Sequence, residues 1–498
     1  MTKHYLLLPI LLIGLTGLNA QNSVKMNSSV SETPASLMYS SPNGKYGVGY
    51  SNGFTILHLP YENQTYYYGD MDDETGMMNV AYVFSGVNDH GEIAASISGD
   101  DLTASKPGIF KDGTFTELEL PAGVDIGNAM DISENGTVVG CYLKNGEGTY
   151  SPCVWRNGKI TTLKFPAKDF YNRTETGAVA YHISADGKVI TGAYISSFGD
   201  EWIPAIWTND GEECTLPGLD FMYNLDKPVT MTMPNADDYI TVPWGDPDFD
   251  KQNEAFNKVW EEYMAQVFAF RTKNLLDGRI TMSPNGKYMA TFNHTTDYKN
   301  IPVIIDVATG ELTEINEFTD AVVLSITNDM NLSLATPNFS AIRTGYLYFT
   351  KTKEKVELKK YILDNFSFDM LDGENGLNSI CEFGQSGSAV CNADGSVFFG
   401  YLGGGEIPVY NYSIVLPESL DVTSIQTAQN DGKILYYTNG AINFGGEAQQ
   451  VSIYNINGSM VYQASNAPST LRLDLPAGIY AIKAIIDGQS VLAKIAIK

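Results

Sequence analysis

The sequence contains few of the residues that build metal and redox centres. Among 498 residues there are five Cys and five His. It has no CxxC pair, no Cys/His spacing typical of zinc and no HExxH, GxSxG or P-loop motif. We therefore expect no zinc site and no bound cofactor. The sequence offers no motif of a known enzyme class, so we favour a non-enzymatic protein.

Basic residues are also scarce. The chain has 31 Lys and Arg against 58 Asp and Glu, which gives a formal net charge of −27. The excess lies before residue 431, because residues 431–498 contain five basic and four acidic side chains. An acidic surface repels phosphate backbones and anionic headgroups, so we expect neither nucleic acid nor a membrane surface as a partner.

A long hydrophobic run is missing as well. The apolar run Leu6–Leu18 has 13 residues, whereas a membrane-spanning helix needs about 20. Lys3 and His4 precede this run and Ala20 follows it, a pattern that predicts a secretory signal peptide at residues 1–20. No Cys lies near the expected cleavage point, which argues against a lipoprotein. We predict export through the periplasm without membrane insertion.

Two of the cysteines flank a predicted hairpin tip, "KNGEG". Cys141 and Cys153 are equally distant from Glu147, so they could face each other across two strands. A disulfide between them would suit an oxidising compartment. Two buried free thiols are the open alternative.

The sequence does contain repeats. The hexapeptide "SPNGKY" occurs at Ser41–Tyr46 and at Ser283–Tyr288, and related segments begin at Asn88, Ser133, Ser184, Thr327 and Asn392. Six of the seven segments have Gly at the fourth position, and Met330 replaces it in the other. Gly provides the positive φ of a two-residue hairpin turn, so each segment predicts two strands joined by a tight turn.

A second motif follows each turn and predicts two more strands. Examples are "SPCVWRNGKITTL" and "IPAIWTNDGEECTL". The turn glycines 44, 91, 136 and 187 are 45 to 51 residues apart, and four strands at this period are typical of a β-propeller blade. A single blade exposes two apolar faces, and closing the blades into a ring buries both. We predict an all-β protein with a propeller at residues 35–420.

The blade number depends on one long interval. Gly187 and Gly286 are 99 residues apart, twice the period. The segment "DFDKQNEAFNKVWEEYMAQVFAF" from Asp248 lacks Gly and Pro and has apolar residues at helical spacing. We therefore predict seven blades with a helical insertion at about 220–275, and eight blades remain the alternative.

Both patterns resemble known repeats. The "SPNGK" turns with their following strands resemble the WD40-like repeats of TolB-type propellers, and the unit "SADGKVITG…PAIW" from Ser184 resembles the extracellular HAF-type repeat. The resemblance covers about residues 35–420 and implies a propeller. It implies little about function, because propellers host both binding and catalysis.

The pattern changes after residue 420. Residues 421–432 form a polar linker, and residues 433–498 contain short alternating strands with turn residues between them. This pattern predicts a small Ig-like antiparallel β-sandwich.

The C-terminal segment resembles the type A sorting domain of the type IX secretion system. The matching stretches are "VSIYNINGSMVY", "LPAGIYAIKA" and the closing "AKIAIK". The resemblance implies a sorting signal that includes Gly478, Tyr480, Lys494 and Lys498, with the secretion machinery as partner. It also implies a secreted or outer-membrane cell-surface location. An ordinary Ig-like accessory module is the alternative.

A carboxylate series precedes the predicted helix. Asp246, Asp248 and Asp250 alternate like the start of a calcium loop. Lys251 and Asn257 stand where such a loop needs Gly and Glu, so we favour an acidic helix start and keep calcium only as a weak alternative.

The insertion is the candidate ligand site. Trp244 lies among Pro and Gly residues close to Asp246, Asp248 and Asp250, and Trp260 lies on the predicted helix. Aromatic faces stack on sugars or hold peptide side chains, and long propeller loops often bind ligands. The alternative is that both Trp side chains pack the insertion onto the propeller.

These observations favour a secreted or cell-surface binding protein with a protein or glycan ligand. A hydrolase or lyase acting on polysaccharide or peptide, with carboxylates in the channel, is the alternative, and a structural surface component is the third hypothesis. His182 precedes a repeat turn and could point into the channel, where we favour a structural role for it.

Overall fold

The computed structural model is predominantly β and divides into two compact units, Ser23–Val415 and a unit that contains Leu416–Lys498. The prediction that the chain is mainly built of β-strands is confirmed. The described residues are 24–31, 35–51, 54–71, 78–98, 105–144, 148–171, 173, 176–196, 201–295, 299–336, 344–366, 368–370, 388–404, 407–416, 436–438, 441–444, 448–455, 460–473, 475, 478–486 and 489–497. The predicted signal peptide at 1–20 and linker at 421–432 lie outside them. Within these residues, no helix is both long enough and apolar enough to span a bilayer.

The unit Ser23–Val415 begins with β1 (Lys25–Ser31) and continues as a series of antiparallel repeats. Repeat 1 contains β2–β5: Ala35–Ser40, Gly47–Ser51, Phe54–Leu59 and Gln64–Tyr68. Repeat 2 contains β6–β10: Asp70–Met71, Met78–Val87, Ile93–Ser98, Ser105–Lys111 and Thr114–Glu117. Repeat 3 contains β11–β14: Ile126–Ile132, Val138–Leu143, Tyr150–Arg156 and Lys159–Thr162. One parallel bridge joins repeats 2 and 3 into a single sheet.

Repeat 4 is followed by the long insertion. It contains β15–β18: Gly177–Ile183, Ile190–Ile195, Trp202–Thr208 and Glu213–Thr215. The insertion contains α1 (Leu219–Met222) and α2 (Phe249–Phe270). The helix predicted from the spacing of apolar residues is therefore present, and it begins at the residue after Asp248.

Three repeats follow the insertion. Repeat 5 contains β19–β23: Asn274–Leu276, Thr281–Met282, Tyr288–Thr295, Asn300–Asp306 and Leu312–Glu314. Repeat 6 contains β24–β27, Val322–Ile326, Leu332–Thr336, Thr344–Phe349 and Glu354–Glu357, and is followed by α3 (Leu358–Phe366). Repeat 7 contains β28–β30: Ser388–Cys391, Val397–Gly404 and Ile407–Val415. Its fourth strand is β1, which pairs with β30 from Lys25 to Ser31.

The first strands of the repeats contact one another in a closed cycle. β2 contacts β7, β7 contacts β11, and the contacts continue through β15, β20, β24 and β28 back to β2. Hydrophobic clusters fill the spaces between neighbouring repeats: Val48 packs with Phe84 and Phe110, and Ile56 packs with Val397 and Phe399. Each repeat thus buries apolar side chains against a neighbour, as the two-faced pattern of its strands requires.

The loops after the first strands are joined by hydrogen bonds. In every link a backbone N–H of one loop donates to the second residue of the next loop, at 2.8–3.0 Å. The links run from Asn43 to Asp89, Asp89 to Glu134, Glu134 to Ala185, Ala185 to Pro284, Asn285 to Asn328, Asn328 to Ala393 and Ala393 to Pro42. The last link returns to the first loop, so we call this set the loop ring.

The repeated hexapeptide has a place in the loop ring. In five loops the second residue is the donor, but Pro has no N–H to donate. In the two "SPNGKY" copies the following residue, Asn43 or Asn285, donates instead. The Pro carbonyl still accepts the bond from the preceding loop. The hexapeptide is therefore one of two local solutions to the same hydrogen-bonding requirement.

The hydrogen-bonding role of the first residue of each loop explains why it is Ser, Thr or Asn. In all seven loops its side-chain oxygen accepts the backbone N–H at the far end of the loop, at 3.0–3.2 Å. These residues are buried: Ser41, Asn88, Ser133, Ser184, Ser283, Thr327 and Asn392. Buried polar groups need such partners, so the position excludes apolar residues.

The fourth loop position has the positive φ that the sequence predicted. The six glycines have φ of 70° to 76°, and Met330 has φ of 67°. The predicted two-residue turn is wrong, however. The backbone bond that closes the loop joins Ser41 to Tyr46 and Asn88 to Glu92, so three or four residues lie between the bonded pair. The longer loop accommodates the side-chain acceptor at its first position and the links of the loop ring.

The cysteines of repeat 3 are free thiols. Cys141 lies opposite Pro152, and Cys153 lies opposite Gly140. The register is offset by one residue from the arrangement expected for a disulfide, and one residue turns a side chain to the other face of the sheet. Cys141 and Cys153 accordingly belong to different hydrophobic clusters. Of the two open interpretations, the structure supports the buried thiols.

The unit that contains Leu416–Lys498 has two antiparallel sheets around one core. Its strands β31–β37 are Tyr436–Thr438, Ala441–Asn443, Ala448–Asn455, Met460–Ala464, Thr470–Leu471, Gly478–Ile486 and Gln489–Ile497. Of the predicted sorting residues, Gly478 begins β36, Tyr480 is buried in the core and Lys494 pairs with Ala481. Lys498 lies outside the described residues.

His58 joins the first and last repeats. Its Nε2 is 2.8 Å from Ser413 Oγ on β30, and its Nδ1 is 2.8 Å from Thr65 Oγ1. The side chain is 7% exposed, and burial lowers its pKa from 6.5 to about 4. The folded protein therefore holds His58 as the neutral form between two hydroxyl groups.

Acidification should weaken this contact. Stability from neutral His58 is complete above pH 6.5 and is lost as the pH falls towards 4, because only the unfolded chain then binds the proton. For the folded and unfolded pKa values given above, the loss between pH 7.5 and 5.0 is about 2 kcal/mol. His58→Gln should lack this part of the pH dependence of the unfolding free energy, measured by urea denaturation. His90→Gln, at a 63% exposed site, should keep it, and equal slopes for all three proteins would contradict the assignment.

Candidate functional site

The closed cycle of first strands surrounds a cavity of about 450 Å³. All seven first strands contribute to its wall. One contribution comes from the position two residues before each loop: Tyr39, Gly86, Asp131, His182, Thr281, Ser325 and Val390. In repeats 1, 2, 3, 4 and 6 the strand register shifts at this position. Such bulges redirect a side chain away from its regular orientation, here towards the cavity.

Asp131 and His182 are neighbours in the cavity wall. His182 Nδ1 is 3.6 Å from Asp131 Oδ2. The same Asp131 oxygen accepts the Ile183 N–H at 3.0 Å, and Oδ1 accepts the N–H of Ile132 at 2.8 Å. His182 Nε2 is 2.9 Å from the Ile280 carbonyl, which can only accept, so Nε2 carries a proton. The pair therefore holds repeats 3, 4 and 5 together.

Gly86 provides space for this pair. A Cβ atom at Gly86 would lie 2.4 Å from Asp131 Oδ1 and 2.9 Å from its Cα. Any larger residue would displace the carboxylate. The first strand of repeat 2 therefore contributes backbone to the wall where its neighbours contribute polar side chains.

The wall becomes more apolar one residue farther from the loops. Here the first strands present Met38, Met130, Tyr181, Ile280 and Leu324. We call these residues the apolar ring. Because the first strands run towards the loops, the apolar ring lies nearer the cavity end opposite the loop ring, which we call the mouth. Met38 remains 52% exposed there.

A charged cluster interrupts the first strand of repeat 5 between β19 and β20. Asp277 Oδ1 accepts Arg279 Nε at 2.9 Å, and Oδ2 accepts Arg279 Nη2 at 3.0 Å. Oδ2 also accepts His294 Nε2 at 2.7 Å. Burial opposes ionisation of Asp277, but the hydrogen bonds from His294 and Arg279 prevail and lower its pKa to about 2. The cluster therefore holds a fixed carboxylate between two donors.

Arg279 reaches the cavity from this cluster. Its guanidinium lies 4.9 Å from the ring centroid of Phe292, and its side chain is 63% exposed. Arg279 also lines the cavity. Asp277 and Phe292 thus restrict the guanidinium without covering it.

An aromatic pair lies beside Arg279. The rings of Tyr181 and Trp202 are nearly parallel, at 15° with centroids 6.4 Å apart, and Trp202 is 38% exposed. A Cβ atom at Gly278 would lie 2.3 Å from Trp202 Cβ, so only Gly allows Trp202 to lie against the residue before Arg279. The mouth therefore combines the Arg279 guanidinium with the apolar ring, and Trp202 stacks on Tyr181 of that ring.

The two Trp residues predicted to bind a ligand lie in different environments. Trp260 packs on α2 between Phe256 and Tyr263, with ring centroids 6.0 and 5.8 Å away. It also contacts the core, which is the packing role considered above for both Trp side chains. Trp244 is 87% exposed and has no ring contact within the described part of the chain.

The three predicted carboxylates form a helix start. Asp246 Oδ1 accepts the Asp248 N–H at 2.9 Å, Asp248 precedes α2, and Asp250 lies in its first turn. Among the described residues no group of three His, Cys, Asp or Glu side chains is arranged to hold a metal. Asp246, Asp248 and Asp250 do not converge on one point.

A buried polar network anchors the C-terminal end of α2. The Glu201 carboxylate accepts the hydroxyls of Tyr171 at 2.8 Å and Tyr223 at 2.6 Å, and the Arg271 guanidinium also contacts it. Tyr223 stacks on Phe270, the last residue of α2, with centroids 4.7 Å apart. Because Glu201 lies directly before Trp202, the network fixes the insertion and the aromatic pair to the same strand end.

The mouth residues could not be identified from the motifs that the sequence analysis used. His182, considered above as a channel residue, does line the cavity. The second and third positions before each loop, compared across the seven loops, would also have found Asp131 and Tyr181. No comparable sequence pattern marks Arg279 and Trp202. Arg279 lies where the first strand of repeat 5 is interrupted, between β19 and β20, and Trp202 is the first residue of β17 in repeat 4.

The chain matches no protein-family model and no curated protein sequence. Among solved structures it is similar to oligogalacturonate lyase from Vibrio parahaemolyticus, at 10% identity over 80% of this chain and 100% of that chain, with a TM-score of 0.43. It is also similar to PorZ, a bacterial surface component of the type IX secretion system of Porphyromonas gingivalis, at 11% identity over 98% of this chain and 61% of that chain (TM-score 0.36). TolB from Acinetobacter baumannii is 11% identical over 84% of this chain and 83% of that chain, with a TM-score of 0.30.

Replacing Asp277 with Asn should destabilise the protein. The change removes the charge that Arg279 and His294 share, and hydrogen bonds to charged groups contribute about 1.5–3 kcal/mol. Solvent screens the exposed Arg279, so we expect a loss of about 1–2 kcal/mol in unfolding free energy at pH 7. Asp329→Asn, at a 76% exposed site, should change it by less than about 0.5 kcal/mol. Equal effects would show that the Asp277 cluster is not stabilising.

Proposed function

We propose that Ser23–Val415 is a seven-bladed β-propeller that acts as a binding protein, with its ligand site at the mouth. The observation that carries this proposal is the cluster of Tyr181, Trp202 and Arg279 next to the apolar ring. Binding sites typically combine an apolar wall with a few fixed polar groups. The closed cycle of first strands supports the propeller and its blade number.

The polar pair in the cavity wall favours binding over hydrolysis. Asp131 accepts two backbone N–H groups, and His182 donates to a backbone carbonyl. Both side chains are thus engaged in holding strands. A glycosidase of the usual kind needs two carboxylates about 5–10 Å apart, whereas Asp131 is the one Asp or Glu among the described residues that line the cavity.

The second candidate function is a hydrolase or lyase acting on polysaccharide or peptide. It rests on Asp277 and His294, whose 2.7 Å contact resembles the pairing that orients a general base. His294 is 33% exposed, and its Nδ1 has no hydrogen-bond partner among the described residues. A structural surface role is the third candidate, for which stable self-association would be the sign.

Ligand binding should depend on Trp202 and not on Trp244. The full chain, Trp202→Ala and Trp244→Ala would be applied to the same glycan and peptide array. Loss of a large aromatic contact at the mouth should weaken binding by about tenfold or more, whereas Trp244→Ala, the matched control at the sequence-predicted site, should bind like the unchanged protein. Binding that depends on Trp244 alone would move the site to the insertion. Turnover of any array component would favour the enzyme candidate.

We further propose that the C-terminal unit is an Ig-like sorting domain that directs export by a type IX route to the medium or the outer-membrane surface. The support is the two-sheet core together with the resemblance of Val451–Lys498 to type A sorting domains. An accessory module of the same fold would have no effect on export.

Export should depend on the last basic residues. In a bacterium with a type IX system, the full chain carrying Lys494→Ala and Lys498→Ala should accumulate in the periplasm, whereas the unchanged chain should reach the surface or medium. Lys483→Ala is a matched control, because Lys483 is an exposed lysine of the same unit. Fractionation and immunoblotting measure the result, and equal export of all three chains would contradict the sorting role.

A further inference from the structure

Arg279 has a free hydrogen-bonding edge at the mouth. Asp277 binds the side of the guanidinium that carries Nε and Nη2. Nη1 has no hydrogen-bond partner within the part of the chain that the structure describes. The Nη1/Nη2 edge is the end of the guanidinium, and its geometry matches the two oxygens of a carboxylate.

This edge is already oriented before any ligand binds. The Arg279 N–H and Nε both bond to Asp277 Oδ1, at 2.7 and 2.9 Å. The Phe292 ring lies against the guanidinium. The Thr291 hydroxyl shares its one proton between the carbonyl oxygens of Asp277 and Arg279, which are 2.6 and 3.0 Å from Oγ1. A side chain held in this way loses little conformational freedom on binding, which favours affinity.

The two residues that flank Arg279 in the chain lie against apolar and aromatic side chains. Gly278 brings Trp202 against the backbone beside Arg279, and Tyr181 stacks on Trp202. Ile280, the next residue, belongs to the apolar ring with Met38. A ligand group that contacts Arg279 would therefore place its neighbouring group against these side chains.

We propose that the mouth binds a peptide that presents a carboxylate directly beside an aliphatic or aromatic side chain. This inference rests on the proposed binding function. The carboxylate would lie on the Nη1/Nη2 edge of Arg279, and the apolar side chain would lie between the Tyr181–Trp202 pair and the apolar ring. The carboxylate could be a peptide C-terminus or an Asp or Glu side chain, since both present the same two oxygens.

The charge of the chain favours a peptide over an acidic polysaccharide. The net charge is −27, and a surface of this sign repels a polymer with a negative charge on every unit. A peptide can carry one carboxylate without further negative charge. Its apolar side chain then supplies the contact area that the aromatic pair and the apolar ring offer.

Dye-labelled tetrapeptides in three forms would test the proposal by fluorescence polarisation with the full chain. The first form ends in Leu or Phe with a free carboxylate, and the second has the same sequence with a C-terminal amide. The third is amidated and has Glu before the Leu or Phe. Oligomers of a uronic acid serve as competitors. We expect the first or third form to bind at least about tenfold more tightly than the neutral amide.

Variants assign the preference to Arg279. Arg279→Gln should remove the difference between carboxylate and amide peptides, and Arg279→Lys should restore it only in part, because an ammonium group lacks the planar fork. Arg156→Gln is the matched control, since Arg156 pairs with Asp210 outside the cavity lining. Thermal unfolding would establish that each variant is folded.

The possible failures are distinguishable. Trp202-dependent binding that is equal for carboxylate and amide peptides, or that persists unchanged in Arg279→Gln, would overturn the carboxylate inference and leave the binding function standing. Binding of uronic-acid oligomers without any peptide binding would replace the peptide with a polysaccharide. Absence of Trp202-dependent binding to all probes would overturn both the inference and the proposed function.

Discussion

Closure of the loop ring is the constraint on which the rest of Ser23–Val415 depends. Each loop has a backbone N–H that bonds to the second residue of the next loop, and the seventh loop bonds to the first. A row of repeats with free ends would leave one donor and one acceptor position without these partners. Unpaired backbone groups are costly when they are shielded from water. The pairing of β1 with β30 and the contact of His58 with Ser413 complete the same closure at the outer strand and in the core.

Closure also determines what the cavity wall contains. Since every first strand enters its loop in the same way, the bulged positions of the repeats meet around one cavity. Asp131 and His182 are neighbours only because repeats 3 and 4 are adjacent, and Gly86 leaves the space they need. Asp131 and His182 in the wall form hydrogen bonds with backbone groups of the strands. The mouth differs, because repeat 5 interrupts its first strand and there places Asp277 and Arg279 beside Trp202 of repeat 4.

Local patterns predicted local structure well. The positive φ at the fourth loop position and the helix Phe249–Phe270 both follow from residue type and spacing within a few residues. Strand register and loop length were not determined by these local patterns. Cys141 and Cys153 are one residue out of alignment, and the loops are longer than the two-residue turn expected. The candidate ligand residues of the insertion were chosen for their chemistry. Trp260 packs against the core, and Asp246 accepts a backbone hydrogen bond at the start of α2. Burial and hydrogen bonding depend on residues that are near in space but distant in the chain, and the sequence pattern does not identify them.

The sequence by itself determined the predominantly β class, the four-strand repeat and the positive φ at the fourth position of each loop. These properties depend on backbone conformation and on alternation within one repeat, which neighbouring residues control. Only the tertiary structure decided which side chains share the mouth. Tyr181, Trp202 and Arg279 come from three different segments, and the distance between their side chains depends on how repeats 4 and 5 pack. Residues far apart in the chain acquire a common function only when closure brings their strands together.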